Sequence, residues 1–287
     1  MTAPVAAALL AIAGGDTGRA RAAARAAADA DPGDQLAAAL SRYLDRAGHR
    51  GVYDEPSGFE QFIDNGSNPH LYERTIAELG RIHRAASPAT LLDVGCGDGR
   101  VTAGVLVPTT RRVDLVEPSA ELLRAAVARL GGSGAEVIPH RATLAEHLAS
   151  LDETTGWDLV QSTFALHTTP PGERPGLLRG LARRTRRLVV AEFDVPAFAD
   201  RSPAHAAYAA ERYQRGVREY AGFPDVVTGF LLPVLVGQFD PARSRHTFEQ
   251  PIAAWVDQLA AAGFERVATV PLADYWWAPA VLVDATR

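Results

Sequence analysis

From Thr90 onward the hydrophobic positions change period. Short apolar, β-branched runs at Leu91–Val94, Val113–Glu117, Ala135–Ile138, Leu159–Ser162 and Leu188–Phe193 are separated by helical stretches such as Ala120–Leu130. Such alternation predicts a parallel sheet with right-handed crossovers, its faces covered by helices. The first third has no such runs. Ala6–Ala13, Arg19–Ala30 and Gln35–Ala47 are rich in alanine, the best helix former, and Gly14-Gly15-Asp16 and Asp31-Pro32-Gly33-Asp34 punctuate them as turns. After the fifth strand about fifty residues break the alternation, with a helix near Ala204–Tyr220 followed by the apolar Phe223–Phe239. An amphipathic helix over Pro251–Ala262 and two closing strands, Val267–Leu272 and Ala280–Asp284, complete the pattern.

These shifts predict four segments: an N-terminal helical cap and lid (1–87), a cofactor-binding α/β region (88–195), a helical cap insertion (196–250), and a final helix and strands that complete the sheet (251–287). The fold class is α/β, a doubly wound, mostly parallel Rossmann-like sheet with an N-terminal helical cap and a helical insertion before the last two strands. Gly51–Tyr72 is read as helical only in pieces; its aromatics Tyr53, Phe62 and Tyr72 are candidates to cover a pocket.

Composition removes several chemistries. All 29 basic residues are arginines, so lysine Schiff-base or lysine general-base catalysis is excluded. A net charge of −5 offers no footprint for nucleic acid, and Arg183, Arg184, Arg186 and Arg187 read as a solvated helix end. Cys96 is the single cysteine, which excludes an internal disulfide and a cysteine-based zinc cluster; no histidine pair has helical ligand spacing, so no metal is expected. The apolar run at Pro4–Ala13 lacks a basic leader, and no stretch has the roughly 20 apolar residues of a membrane helix. A cytoplasmic setting without membrane attachment is expected.

The densest chemical signal is Leu91-Leu-Asp-Val-Gly-Cys-Gly-Asp-Gly-Arg100, a buried strand running into alternating glycines and then a helix. Glycine permits the sharp turn and lets a ligand approach the backbone, while the helix start offers N–H groups to an anion. A dinucleotide fingerprint needs a third glycine where Arg100 stands. Glu117 ends the second strand, 22 residues past Gly95, where a carboxylate can accept from both ribose hydroxyls.

With Asp93 ahead of Gly95, Gly97 and Gly99, this segment resembles the first motif of class I S-adenosylmethionine-dependent methyltransferases. The resemblance covers Thr90–Phe193 and the terminal strands. It implies S-adenosylmethionine as cofactor, methyl transfer to a small molecule, and cofactor contacts at Asp93, Gly95, Gly97, Gly99 and Glu117. The family's acid after the third strand is missing from Pro139-His-Arg-Ala-Thr143, leaving Thr143 or a backbone carbonyl to meet adenine. At the end of the fourth strand Thr163 and His167 should face the pocket, His167 either as a general base near neutral pH or as a residue closing over the cofactor. Asp225, among apolar neighbours, is either a buried proton acceptor or the N-cap of a helix beginning at Val226. Tyr208, Arg212, Tyr213 and Tyr220 recur at helical spacing, so Arg212 and Tyr213 either line a substrate cavity or pack in the core.

The segment Gly51-Val-Tyr-Asp-Glu-Pro-Ser-Gly-Phe-Glu-Gln-Phe-Ile-Asp-Asn-Gly66, with the long insertion, is similar to methyltransferase-like proteins of azinomycin-type aziridine biosynthesis. That resemblance implies a second reading, intramolecular displacement of a sulfate-type leaving group, with Asp225 as proton acceptor. A homodimer or a complex with a small partner protein is compatible with either.

Overall fold

A computed structural model of the chain describes residues 3–46 and 61–287. Tyr53 lies outside them. The chain divides into two compact units, and the boundaries differ from those the sequence suggests. The first unit holds residues up to His70, Ala197–Arg245 and Tyr275–Ala278; the second holds Leu71–Pro196, His246–Asp274 and Pro279–Arg287.

The first unit is helical. Its helices Ala3–Ala13, Thr17–Ala30 and Gln35–Asp45 pack against one another, the latter two started by Asp16 and Asp34, whose carboxylates accept from Arg19 N and Ala37 N. The helix Pro203–Glu219 follows Ser202, a side-chain N-cap. The apolar stretch beyond it is one composite helix, with α-turns at Pro224–Val226 and Leu232–Phe239 flanking a π-helical segment, Val227–Leu231.

The second unit carries the sheet: β1 (Thr90–Val94), β2 (Arg112–Val116), β3 (Glu136–His140), β4 (Leu159–Thr163), β5 (Arg187–Phe193), β6 (Arg266–Asp274) and β7 (Pro279–Thr286). Their order is β3-β2-β1-β4-β5-β7-β6; β1 to β5 run parallel, and β7 is antiparallel to both its neighbours. A strand alternates its side chains between two faces. On one face Leu92, Val94, Val160, Leu188 and Val190 join Trp255 and Leu259 of the helix Ile252–Ala262 and Leu178 and Leu181 of the helix Arg174–Ala182. The other face carries Asp93 and Gln161 on β1 and β4, with the helices Asn68–Ala86 and Arg100–Val105 on that side. Asn68–Ala86 is continuous for 19 residues where the sequence suggested broken helix up to Tyr72, because Leu71, Thr75, Leu79 and Ile82 recur at helical spacing and are buried. Among the described residues no helix is long and apolar enough to cross a membrane.

Candidate functional site

Where β1 ends, the chain must turn sharply beneath the helix Arg100–Val105. Gly95, Gly97 and Gly99 all take positive φ, +69°, +55° and +75°, a region L side chains avoid. Each glycine answers a separate demand. A Cβ on Gly95 would lie 2.3 Å from the Ala165 Cβ, and one on Gly99 would lie 2.9 Å from Ala126, whereas one on Gly97 meets nothing within 4 Å. The first two glycines permit close packing; Gly97 leaves backbone open to a ligand. Gly95 N–H donates to the Val116 carbonyl at 2.8 Å, tying the loop to the end of β2.

Glu117, one residue beyond β2 and 9% exposed, meets this loop. One carboxylate oxygen accepts from Gly97 N–H at 3.2 Å and the other from Ser119 N–H at 2.9 Å. Next to it a cavity of about 200 Å³ opens at the carboxyl ends of β1 to β4. Its walls include Val94, Gly95, Val116, Pro118, Ala142 and Leu166. A flat apolar ring fits such walls, with a ribose next to Glu117, and open sheets of this kind bind ligands at this end.

Beneath the loop, Asp93 is fully buried on β1 and accepts a short hydrogen bond from the Thr102 hydroxyl. Burial pushes its carboxyl up to about 6; the Thr102 and Gln161 hydrogen bonds oppose the rise and the Glu117 charge adds to it. Burial also pushes the Cys96 thiol up, so Cys96 is no thiolate nucleophile.

The remaining sequence-derived candidates fare differently. Thr143 borders the cavity, but its hydroxyl donates to Glu146 Oε2 at 2.8 Å and accepts from Glu146 N–H, forming a capping box for the helix Leu144–Ser150. Its side chain is committed to the helix start. The helix after the glycine loop is only six residues long, and its first N–H, Arg100, is taken by Asp98 Oδ1 at 3.1 Å. Thr163 ends β4 and is not among the residues lining the cavity. His167 sits in the 3-10 turn after β4, with Nδ1 2.8 Å from Glu192 Oε2 and its backbone N–H donating to Glu192 Oε1 at 3.0 Å. Burial opposes its charging, yet the adjacent Glu192 carboxylate dominates and raises its pKa to about 9. Glu192 thus holds the Nδ1 edge of the ring, and the raised value favours the imidazolium at neutral pH.

Asp225 is exposed, in the first turn of a helix whose N-cap is Phe223. It is neither buried nor a cap, because the helix begins at Pro224, one residue before Asp225 rather than after it. Phe62, Arg212 and Tyr213 belong to the first unit, and all three have packing roles there. The Phe62 ring lies 4.3 Å from Phe230 and 5.5 Å from Tyr220; Tyr213 is buried with its ring 5.4 Å from Trp276; Arg212 donates to the Tyr275 and Trp277 carbonyls. Tyr72 is in the second unit, where the Arg100 guanidinium stands 5.3 Å from its ring centre. The structure therefore gathers Asp93, Gly95, Gly97, Gly99 and Glu117 at one loop.

Sequence reasoning missed His83, Thr102, Gln161 and Glu192. His83 is buried and its Nε2 lies 2.9 Å from Gln161 Oε1. The available signal was polarity on buried strands: Gln161 follows Leu159-Val160 and Glu192 follows Leu188–Ala191, and a buried polar group demands a partner.

Comparison with known proteins agrees with this geometry. Residues 91–187 match the methyltransferase domain family. An uncharacterised methyltransferase of Schizosaccharomyces pombe is 39% identical over 141 residues, 48% of this chain and 52% of that protein. This chain thus spans about half the length of that curated relative. Among solved structures, SCL7 of Oryza sativa superposes with a TM-score of 0.65 at 14% identity, covering 92% of this chain and 93% of that one. An O-methyltransferase family protein from Burkholderia thailandensis gives 0.54 at 16% identity, covering 86% and 62%. At these identities the structural matches speak for the fold. The loop, Glu117 and most of the cavity's walls lie within residues 91–187, the segment that matches the methyltransferase domain.

Proposed function

We propose that this chain transfers a methyl group from S-adenosylmethionine to a small apolar acceptor, a secondary-metabolite intermediate in class. One observation carries the reading: the Glu117 carboxylate is held at Gly97, the one loop glycine whose missing Cβ faces open space. Glu117 is the group to receive the ribose hydroxyls, the apolar cavity the adenine ring, and the loop backbone the remainder of the cofactor. When bound, S-adenosylmethionine supplies an electrophilic methyl on a sulfonium that is already a good leaving group.

The protein's task is then mainly alignment and exclusion of water, effects worth several kcal/mol without any acid or base. That suits a site in which the His167 ring is held by Glu192 and Asp225 is exposed. The net charge of −5 and the largely apolar cavity walls favour an apolar acceptor over an anionic polymer. A lone cysteine fits a cytoplasmic setting.

The test is calorimetric titration of S-adenosylmethionine into the wild type and Glu117→Ala, followed by assay of S-adenosylhomocysteine release with candidate acceptors. Removing a charged hydrogen-bond acceptor should cost about 1.5–3 kcal/mol, or about 10- to 150-fold in Kd. Product formation that persists after the cofactor is stripped would refute methyl transfer.

A further inference from the structure

Four buried polar side chains form a line beneath the glycine loop, drawn from four elements. His83 comes from the helix Asn68–Ala86, Gln161 from β4, Thr102 from the helix Arg100–Val105 and Asp93 from β1. All four are almost fully shielded from solvent, so every donor must be matched by an acceptor within the line.

The direction of the line follows from inventory alone. An ionised Asp93 only accepts, so the Thr102 hydroxyl donates to it. That uses the only Thr102 proton, so the Gln161 amide presents its NH₂ to Thr102, at 3.5 Å, and to Asp93. Its oxygen is then turned to His83, whose Nε2 must carry a proton to donate at 2.9 Å. One end atom on each side is left over: Asp93 Oδ1 and His83 Nδ1 are buried without a hydrogen-bond partner.

Now let Asp93 take up a proton on Oδ2. It becomes a donor to Thr102, Thr102 donates to Gln161, and the amide must turn its oxygen toward Thr102 and its NH₂ toward His83. His83 Nε2 must then accept, which moves the ring proton to Nδ1. The Asp93–Thr102, Thr102–Gln161 and Gln161–His83 contacts survive with donor and acceptor exchanged, while the amide's bond to Asp93 is given up. Protonating Asp93 on Oδ1 instead would leave a buried hydroxyl donor orphaned at Asp93, while the reversed line leaves its orphan donor at the far end, at His83 Nδ1.

We infer that His83, Gln161 and Thr102 form a polarity-reversible hydrogen-bond line that couples the charge of Asp93 to the tautomer of His83. His83 is thereby a positioning residue for the cofactor loop, acting on Asp93 through two intermediaries. Burial lowers the His83 pKa, the Gln161 hydrogen bond raises it and Arg187 lowers it, a net shift that favours the neutral ring. The other titratable groups that bear on the line are Glu117 and Cys96, near Asp93. The ionised arrangement is the one a cationic cofactor favours, so this functional consequence rests on the cofactor assignment above; the tautomer switch does not.

The experiment is a pH titration of the whole, ¹⁵N-histidine-labelled chain, observed by NMR at the imidazole nitrogens without cofactor. The His83 signal is assigned by its loss in His83→Gln. The expected result is a neutral Nε2–H ring above pH 7 that becomes a neutral Nδ1–H ring below pH 5, with its midpoint near the Asp93 carboxyl's value of about 6. Thr102→Val should hold one tautomer across the range, and Thr102→Ser should switch like the wild type. In parallel, S-adenosylmethionine affinity of the wild type should fall about tenfold per pH unit below that midpoint. A His83 ring that keeps its proton on Nε2 at both extremes, or that charges to imidazolium, overturns the inference. So does a Thr102→Val variant that still switches. None of these readouts requires turnover, so their failure is distinct from failure of the methyl-transfer reading.

Discussion

Replacing Gly97 with alanine and, separately, Gly95 with alanine puts the same methyl group at two places in one loop, two residues apart. Both glycines hold φ values, +55° and +69°, that cost an L residue about 1 kcal/mol or somewhat more. At Gly97 the cost stops there, because the new Cβ meets nothing within 4 Å. At Gly95 it would sit 2.3 Å from the Ala165 Cβ, so β4's following turn must move or the loop must open. Overpacking of that kind adds about 1–3 kcal/mol, for a total of about 2–4 kcal/mol. Urea denaturation should therefore show a small loss for Gly97→Ala and a large one for Gly95→Ala, at unchanged m value. Calorimetric titration of S-adenosylmethionine should show the reverse emphasis for Gly97→Ala: a folded protein whose cofactor affinity falls about tenfold or more, since the methyl occupies the open face of the loop. Equal stability losses for the two variants would refute the division of roles, and wild-type cofactor affinity in Gly97→Ala would refute the placement of the cofactor.

His167→Gln should destabilise the protein by about 3–5 kcal/mol at pH 6, since it leaves the buried Glu192 carboxylate without its partner. The folded pKa of His167 is raised to about 9, so the pair's contribution is full below pH 6.5 and fades as pH rises through 9; urea midpoints of wild type and variant should converge across that window. Asp225→Asn should shift stability by no more than about 0.5 kcal/mol and leave turnover unchanged, because the side chain is exposed; a loss of turnover would restore it as a proton acceptor. Thr143→Ala should cost about 1 kcal/mol in thermal or urea unfolding through loss of its capping box, and no loss would mean that the cap is not formed in solution.

β1, β2, β4 and β5 were legible because their burial favours apolar runs, and β3, at the sheet edge and partly exposed, through its Val137-Ile138 pair; all five fall within a residue or two of their expected limits. The glycine loop and Glu117 were legible because positive φ and a strand-end acid are each encoded by residue type. What escaped depends on partners distant in sequence. Whether His167 is a base turns on Glu192, 25 residues away in the chain, and nothing local to His167 announces it. Asp225 was misjudged because its apolar neighbours face inward while it faces out, the ordinary consequence of helical periodicity near a helix start. Thr143 borders the cavity as expected, and its further tie is local: Glu146 three residues on spells a capping box.

The antiparallel β7 is synthesised after every other strand, yet it lies inside the sheet between β5 and β6. On the ribosome, β1 to β5 can emerge and pair while β6 has no neighbour to join, since its ladder runs along β7 alone. Closure of the sheet is therefore a late, long-range event that joins Arg187–Phe193 to a segment roughly ninety residues downstream, a high-contact-order step of the kind that slows folding. A nascent chain paused before Pro279 would expose the unpaired edges of both β5 and β6, and that interval is when this protein is most exposed to aggregation.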